Sequence, residues 1–373
     1  MNVRADGIEL VWPRGLIAGA AVAAAWASYA GTGASRPPLG LPATAVSNPD
    51  TAAAKLGRRL FSDGRLSING KMSCATCHKP EQGFTDNERA TPDGRDGRPL
   101  RRNASTLLNV GMATPLMHDG AAPSLETQVL TPLLDSNEMA NGTFDELERR
   151  LASVPEYDQA FRDVFGGTPS MARIGSALAA YQRTLASANS SFDRWKFGGE
   201  ADALGDDARR GFVLFTGRAG CTGCHLIGET SALFTDNAMH NTGAAAGVTA
   251  DGGVRAASRR GSSTIDFAAA GDRGRHEVTQ NLADLYSFRT PTLRNVALTA
   301  PYMHDGAMAT LGDVVRFYNA GGGANDNLDP AIKPLGLDSR EIEDLVAFLN
   351  SLTGDNVSRL AAEAKAAAPR INP

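Results

Sequence analysis

Cys74-Ala75-Thr76-Cys77-His78 and Cys221-Thr222-Gly223-Cys224-His225 are the two stretches whose reading decides the fold. They contain all four cysteines of the chain. In an exported protein a CxxC pair can close a disulfide, and two pairs can build one zinc site. Compact zinc modules, however, separate their pairs by roughly 15–20 residues, and these pairs lie far apart. The adjacent histidine points to haem attachment. Two thiols bond the haem vinyl groups and the neighbouring imidazole reaches the iron as proximal ligand. Two covalently bound c-type haems are therefore expected.

Working outward, each motif follows a short amphipathic pattern, "DTAAAKLGRRLFSD" and "DDARRGFVLFTG", with apolar residues at helical intervals. Each is followed by "FTDN", at Phe84 and at Phe234. "LLNVGMATPLMHDGA" and "LRNVALTAPYMHDGA" then align without a gap. Further helices are expected in "TFDELERRLASV", "ARIGSALAAYQRTLAS" and "SREIEDLVAFLNSLTG", each beginning near a capping Thr, Ser or Asp. The expected fold is mainly α, with two cytochrome c-like haem domains related by internal duplication. The first spans 49–198 and the second 199–355. A Gly-, Ala-, Ser- and Arg-rich insertion from about Gly243 to Arg275 reads as an exposed loop. The stretch 356–373 holds an Ala-, Glu- and Lys-rich helix-forming run and reads as a solvated tail.

A chain of 373 residues suits two domain cores, since domains usually run to roughly 100–200 residues. The net charge of −4 shows no basic excess, which argues against nucleic acid as a partner. Residues 1–30 read as a cleaved signal peptide: Arg4 and Arg14 precede an apolar run from Leu16 to about Ala27. That run is shorter than the roughly 20 residues a membrane span requires, and after cleavage no span is expected. Residues 31–48 read as a linker, with structure beginning near Pro49.

With "RNASTLLNV", "SNEMA", "FRTPTLRNV", "PYMHDG" and "VVRFYN" following in order, the chain resembles the bacterial di-haem cytochrome c peroxidase and MauG family from about Pro49 to Leu352. The resemblance implies that the His78 haem is the peroxide site and the His225 haem the electron relay. Many family peroxidases carry a removable distal His in the loop after the first motif. Here that loop, "TPDGRDGRPLRRN", has Arg95 near the place and no His. The first haem is therefore expected to be five-coordinate or to hold only water, with Met112, Met117 or His118 as alternative sixth ligands.

The resemblance further assigns Glu138 in "SNEMA" as the acid–base carboxylate and Gln128 as the residue that helps position peroxide. A carboxylate above an open iron can take a proton from one peroxide oxygen and return it to the other. At the second haem the MauG branch uses Tyr as the far ligand, and the matching residue is Tyr318; Met303 and Met308 are alternatives. His118 stands where the family commonly has Trp, which puts in doubt the sharing of oxidising equivalents between haems. Trp195 reads as packing. His304 reads as a donor to a haem propionate or a loop carbonyl, or as a core residue; His240 and His276 read as surface or supporting residues. The resemblance also implies a calcium ion held by the Asn103 side chain and the carbonyls of Thr299 and Pro301.

The expected function is a periplasmic di-haem peroxidase that reduces hydrogen peroxide with electrons from a small soluble donor such as a cytochrome c. The rivals are a MauG-like enzyme that oxidises side chains of a partner protein, and a non-catalytic di-haem carrier or redox sensor.

Overall fold

A computed structural model describes residues 38–43, 47–246 and 272–369. The expected signal peptide and most of the insertion lie outside them. The fold is mainly α. Among the described residues the sheet structure consists of one two-stranded antiparallel pair, Met239–His240 with Phe288–Arg289, in which Met239 faces Arg289.

Each half is organised by one crossing of two helices. The helix Ala52–Phe61 starts where Thr51 accepts the amide of Ala54, and buries Ala54, Leu56, Leu60 and Phe61 along one face. It packs on Met171–Gln182, which Ser170 caps. At the crossing, a Cβ on Gly57 would lie 1.9 Å from the Ala177 carbonyl oxygen, so only glycine allows the approach. In the second half Asp206–Thr216 crosses Ser339–Asn350 in the same way. There a Cβ on Gly211 would lie 1.9 Å from the Asp344 carbonyl oxygen. All five helices read from sequence are present, including Phe144–Ala152 capped by Thr143.

Two hydrophobic clusters result. One gathers Leu60, Phe61, Phe84, Leu108, Phe161 and Tyr181, and the other Phe192, Phe215, Phe234, Val315, Phe348 and Leu352. Trp195 packs on the second cluster, edge-on to Phe212 at 5.3 Å, in agreement with its reading as a packing residue.

Two boundary expectations are corrected. The helix-forming stretch after Gly354 is the helix Val357–Ala366, but it is not a solvated tail: Leu360 and Ala364 are buried in the first cluster. Their spacing of four puts both on one helical face, and that face has found a partner. Order also begins before Pro49. Leu41 is buried, and the Gly40 carbonyl accepts from the Ala232 amide and the Arg294 guanidinium. Arg294 is itself buried and forms a two-point pair with Asp193, both contacts at 2.9 Å.

Candidate haem centres and peroxide site

At the first motif the short helix Cys74–Cys77 leads directly into His78, whose amide bonds the Cys74 carbonyl at 2.9 Å. None of the four cysteines is paired in a disulfide. Burial, then the mutual effect of the pair, pushes Cys74 up to about 12; burial, then the nearby Glu138 carboxylate, pushes Cys77 up to about 12. Burial likewise pushes Cys221 and Cys224 up to about 11.

The histidines are held alike. His78 Nδ1 lies 3.3 Å from the Phe84 carbonyl oxygen, and His225 Nδ1 lies 2.8 Å from that of Phe234. Both phenylalanines are buried at positive φ, +58° and +52°, a conformation uncommon for a residue with a side chain. Each "FTDN" turn is tied to the segment opposite: Thr106 Oγ1 donates to Gly83 O and Thr292 Oγ1 to Leu233 O, both at 2.6 Å. With Nδ1 as the donor, the Nε2 lone pair of each ring is left for a metal. Burial also lowers the pKa of both imidazoles, so both are neutral near pH 7. Two cysteines outside any disulfide, beside a neutral, oriented imidazole, fit a c-type haem at each motif. Each haem would be held by Cys74, Cys77 and His78, or by Cys221, Cys224 and His225, and would supply an iron for electron transfer or ligand binding.

Glu138 lies within electrostatic reach of both first-motif thiols. Burial, reinforced by Asp135, pushes its carboxyl up to about 7. Among the described residues no hydrogen bond reaches that carboxyl. Gln128 ends a one-turn helix begun at Ser124, and its amide points at the Met117 thioether, 3.6 Å away; it is not bonded to Glu138. The His-free loop closes onto the residue before Glu138. The Arg95 amide donates to the Asn137 carbonyl at 2.7 Å, while the Arg95 side chain pairs with Asp96.

At the second motif, Tyr318 sits on the helix Leu311–Asn319, capped by Thr310. Burial pushes its phenol up to about 12, opposed by a bond with the Thr242 side chain and reinforced by the thiols of Cys221 and Cys224. The phenol thus lies in reach of this motif. His240 is more than a surface residue: Nδ1 lies 2.6 Å from Asp329 and Nε2 2.8 Å from Asp236, with the Cys224 sulfur close by. Sequence reasoning passed over both aspartates. Asp236 belongs to "FTDN", so repetition of that string beside each motif was the available signal. His276 is buried, with Nδ1 2.8 Å from the Asn281 carbonyl.

Between the motifs, His118 Nε2 lies 3.0 Å from both the Asn103 carbonyl and the Ser105 hydroxyl. Burial, helped by Arg102, His304 and Arg289, pulls this imidazole down to about 4. The Asn103 amide donates to the His304 carbonyl at 2.7 Å, and the His304 ring stacks on Phe288 at 4.2 Å. Asn103 thus adjoins the loop that carries Thr299 and Pro301. Its side-chain nitrogen bonds the Ala90 carbonyl at 2.9 Å.

A mainly α chain with two oriented CxxCH motifs defines a di-haem c-type protein, and comparison with known proteins specifies the class. The model of the di-haem cytochrome c peroxidase family matches residues 51–202. The chain is 40% identical over 352 residues to the cytochrome-c peroxidase IdrP1 of Denitromonas iodatirespirans, covering 90% of this chain and 92% of that one. It is also 40% identical over 303 residues to the methylamine utilization protein MauG of Methylorubrum extorquens, covering 80% and 78%. Among solved structures, a MauG-like protein associated with microbial copper homeostasis superposes with a TM-score of 0.68 at 32% identity, covering 86% of this chain and 94% of that one. The chain belongs to the di-haem cytochrome c peroxidase and MauG family and is a di-haem peroxidase with two c-type haems.

Proposed function

We propose that hydrogen peroxide is reduced at the His78 centre, and that electrons enter at the His225 centre from a small soluble donor such as a cytochrome c. The observation that carries this division is Glu138: a partly buried carboxyl without a hydrogen-bond partner among the described residues, poised near neutrality beside the first motif. Glu138 takes a proton from the inner peroxide oxygen and returns it to the leaving oxygen, while Gln128 helps position the peroxide. His78 and His225 would each hold a haem iron, Tyr318 would also hold the second iron, and Asn103, Thr299 and Pro301 would hold a calcium ion.

Two cytochrome c-like domains, 49–198 and 199–355, descend from a duplication. In support, both halves carry Phe at positive φ after the motif, Asn at positive φ at 109 and 295, and Met at φ +72° at 117 and 303. The apolar Leu16–Ala27 run supports export to the periplasm, the compartment in which we expect the protein to act.

Tyr318 also favours a MauG-like variant of this function, peroxide-dependent oxidation of side chains on a partner protein. His118 in place of Trp weighs against it. Cyanide titration of the ferric protein, followed by EPR, tests the common premise. We expect one iron to bind cyanide; two low-spin irons inert to it, before and after one-electron reduction, would make the protein a carrier. Turnover with reduced cytochrome c then separates the two enzymes.

A further inference from the structure

Two little-exposed arginines of this fold are paired with carboxylates. Arg294 pairs with Asp193, and Arg102 with Asp119 and Asp272. Arg289 has no carboxylate partner among the described residues. Its guanidinium has neutral acceptors only: Nε lies 3.4 Å from the Met117 carbonyl, and Nη1 lies 3.3 Å from Asn237 Oδ1 and 3.1 Å from the Thr290 carbonyl. Two of these three are long contacts, and Nη2 has no acceptor among the described residues. Partial burial alone moves this guanidinium, and it moves it downward, as expected for a cation shielded from water without an anion beside it. Uncompensated charge of this kind is costly, so an anion of matching geometry is strongly favoured there.

The position restricts what that anion is. The Arg289 amide donates to the His118 carbonyl at 2.8 Å, so its backbone is fastened to the loop of the first half that carries Met117. Its side chain reaches Asn237 in the "FTDN" turn that follows the second motif. Met239 pairs with Arg289 across the two-stranded ribbon, which leads to His240. The guanidinium therefore stands where the surroundings of the two centres meet. His118, on the first-half side, is exposed to its charge. Each haem carries two propionate carboxylates, and a guanidinium matches a carboxylate in a two-point fork.

We propose that Arg289 is a binding residue for a haem propionate at the junction of the two centres. The carboxylate belongs to the first or the second haem; the chemistry is shared. The pairing rests on haem attachment at both motifs and is independent of the roles of Glu138 and Tyr318. A fixed cation beside a haem favours the reduced state electrostatically, so Arg289 holds the potential of the paired haem upward.

The test uses the holoprotein with both haems attached. Arg289→Gln removes the charge and Arg289→Lys retains it. Spectroelectrochemical titration follows each haem by its own bands. In Arg289→Gln one haem should shift to a more negative potential, and the haem that shifts identifies the propionate. Arg289→Lys should stay near wild type. Unchanged potentials of both haems in Arg289→Gln would overturn the proposal. Should the Gln variant not mature, resonance Raman spectra of Arg289→Lys decide the matter. The propionate bending band should move when an ammonium replaces the guanidinium fork, and a band identical to wild type would refute the pairing.

Discussion

The carbonyl oxygen of Phe234 lies 2.8 Å from His225 Nδ1, and this contact decides which ring nitrogen of His225 can meet an iron. Phe234 adopts a left-handed backbone conformation at φ +52°, buried in the second cluster. The Tyr318 phenol approaches the same motif, within reach of both its thiols. Tyr318→Phe is expected to leave haem attachment intact and open the second iron to cyanide, with altered absorption and EPR spectra. Spectra matching wild type would exclude Tyr318 as the ligand.

Glu138→Gln keeps the size of the side chain and removes the base. Because general acid–base assistance is worth about 10²–10⁴-fold, peroxide turnover should fall by about two orders of magnitude or more with both haems attached. Wild-type turnover in this variant would rule out the proton-transfer role.

The same group sets an expected pH profile. Its carboxyl is pushed up to about 7 by burial and then by Asp135. The carboxylate, the basic form, predominates above that value, so turnover should fall as pH drops through about 7. Asp135→Asn removes a negative neighbour and should move this acid limb to lower pH. A limb that stays in place in a pH–rate series of Asp135→Asn would assign it to another group.

The loop after the first motif has no histidine, and its Arg95 amide is tied to Asn137. The fully oxidised protein should therefore react with peroxide without prior reduction, as followed by stopped-flow absorption. A protein inert until reduced would show that another residue, such as Met117, whose thioether lies 3.6 Å from the Gln128 amide, caps the first iron.

Arg294→Met leaves Asp193 buried without its cation. Breaking such a pair typically costs about 3–5 kcal/mol, and the Gly40 segment should lose its anchor as well. Denaturant unfolding of the holoprotein checks the first effect and limited proteolysis near residue 40 the second. Gly57→Ala and Gly211→Ala should each cost about 1–3 kcal/mol by forcing a crossing apart, read in the same unfolding assay.

The sequence by itself determined the haem motifs and the helices around them, because covalent spacing and helical periodicity are local properties. Thr51 before Ala52–Phe61 and Thr310 before Leu311–Asn319 cap within three residues of where they stand. Tertiary structure alone decided what depended on distant partners. Leu360 and Ala364 looked like tail residues until the first cluster covered them, and Gly40 looked like linker until Arg294, far along the chain, bonded it. His240 gained its place from Asp236 and Asp329, the second of them remote in sequence. Glu138 is an ordinary carboxylate in "SNEMA", and only burial beside Asp135 raises it toward neutrality. Arg289 carries no local sign of its setting in "FRTPTLRNV"; the meeting of two chain segments leaves it partly buried without an acidic partner among the described residues. The energy of a charge depends on the medium around it, and that medium is assembled from residues that local patterning does not connect.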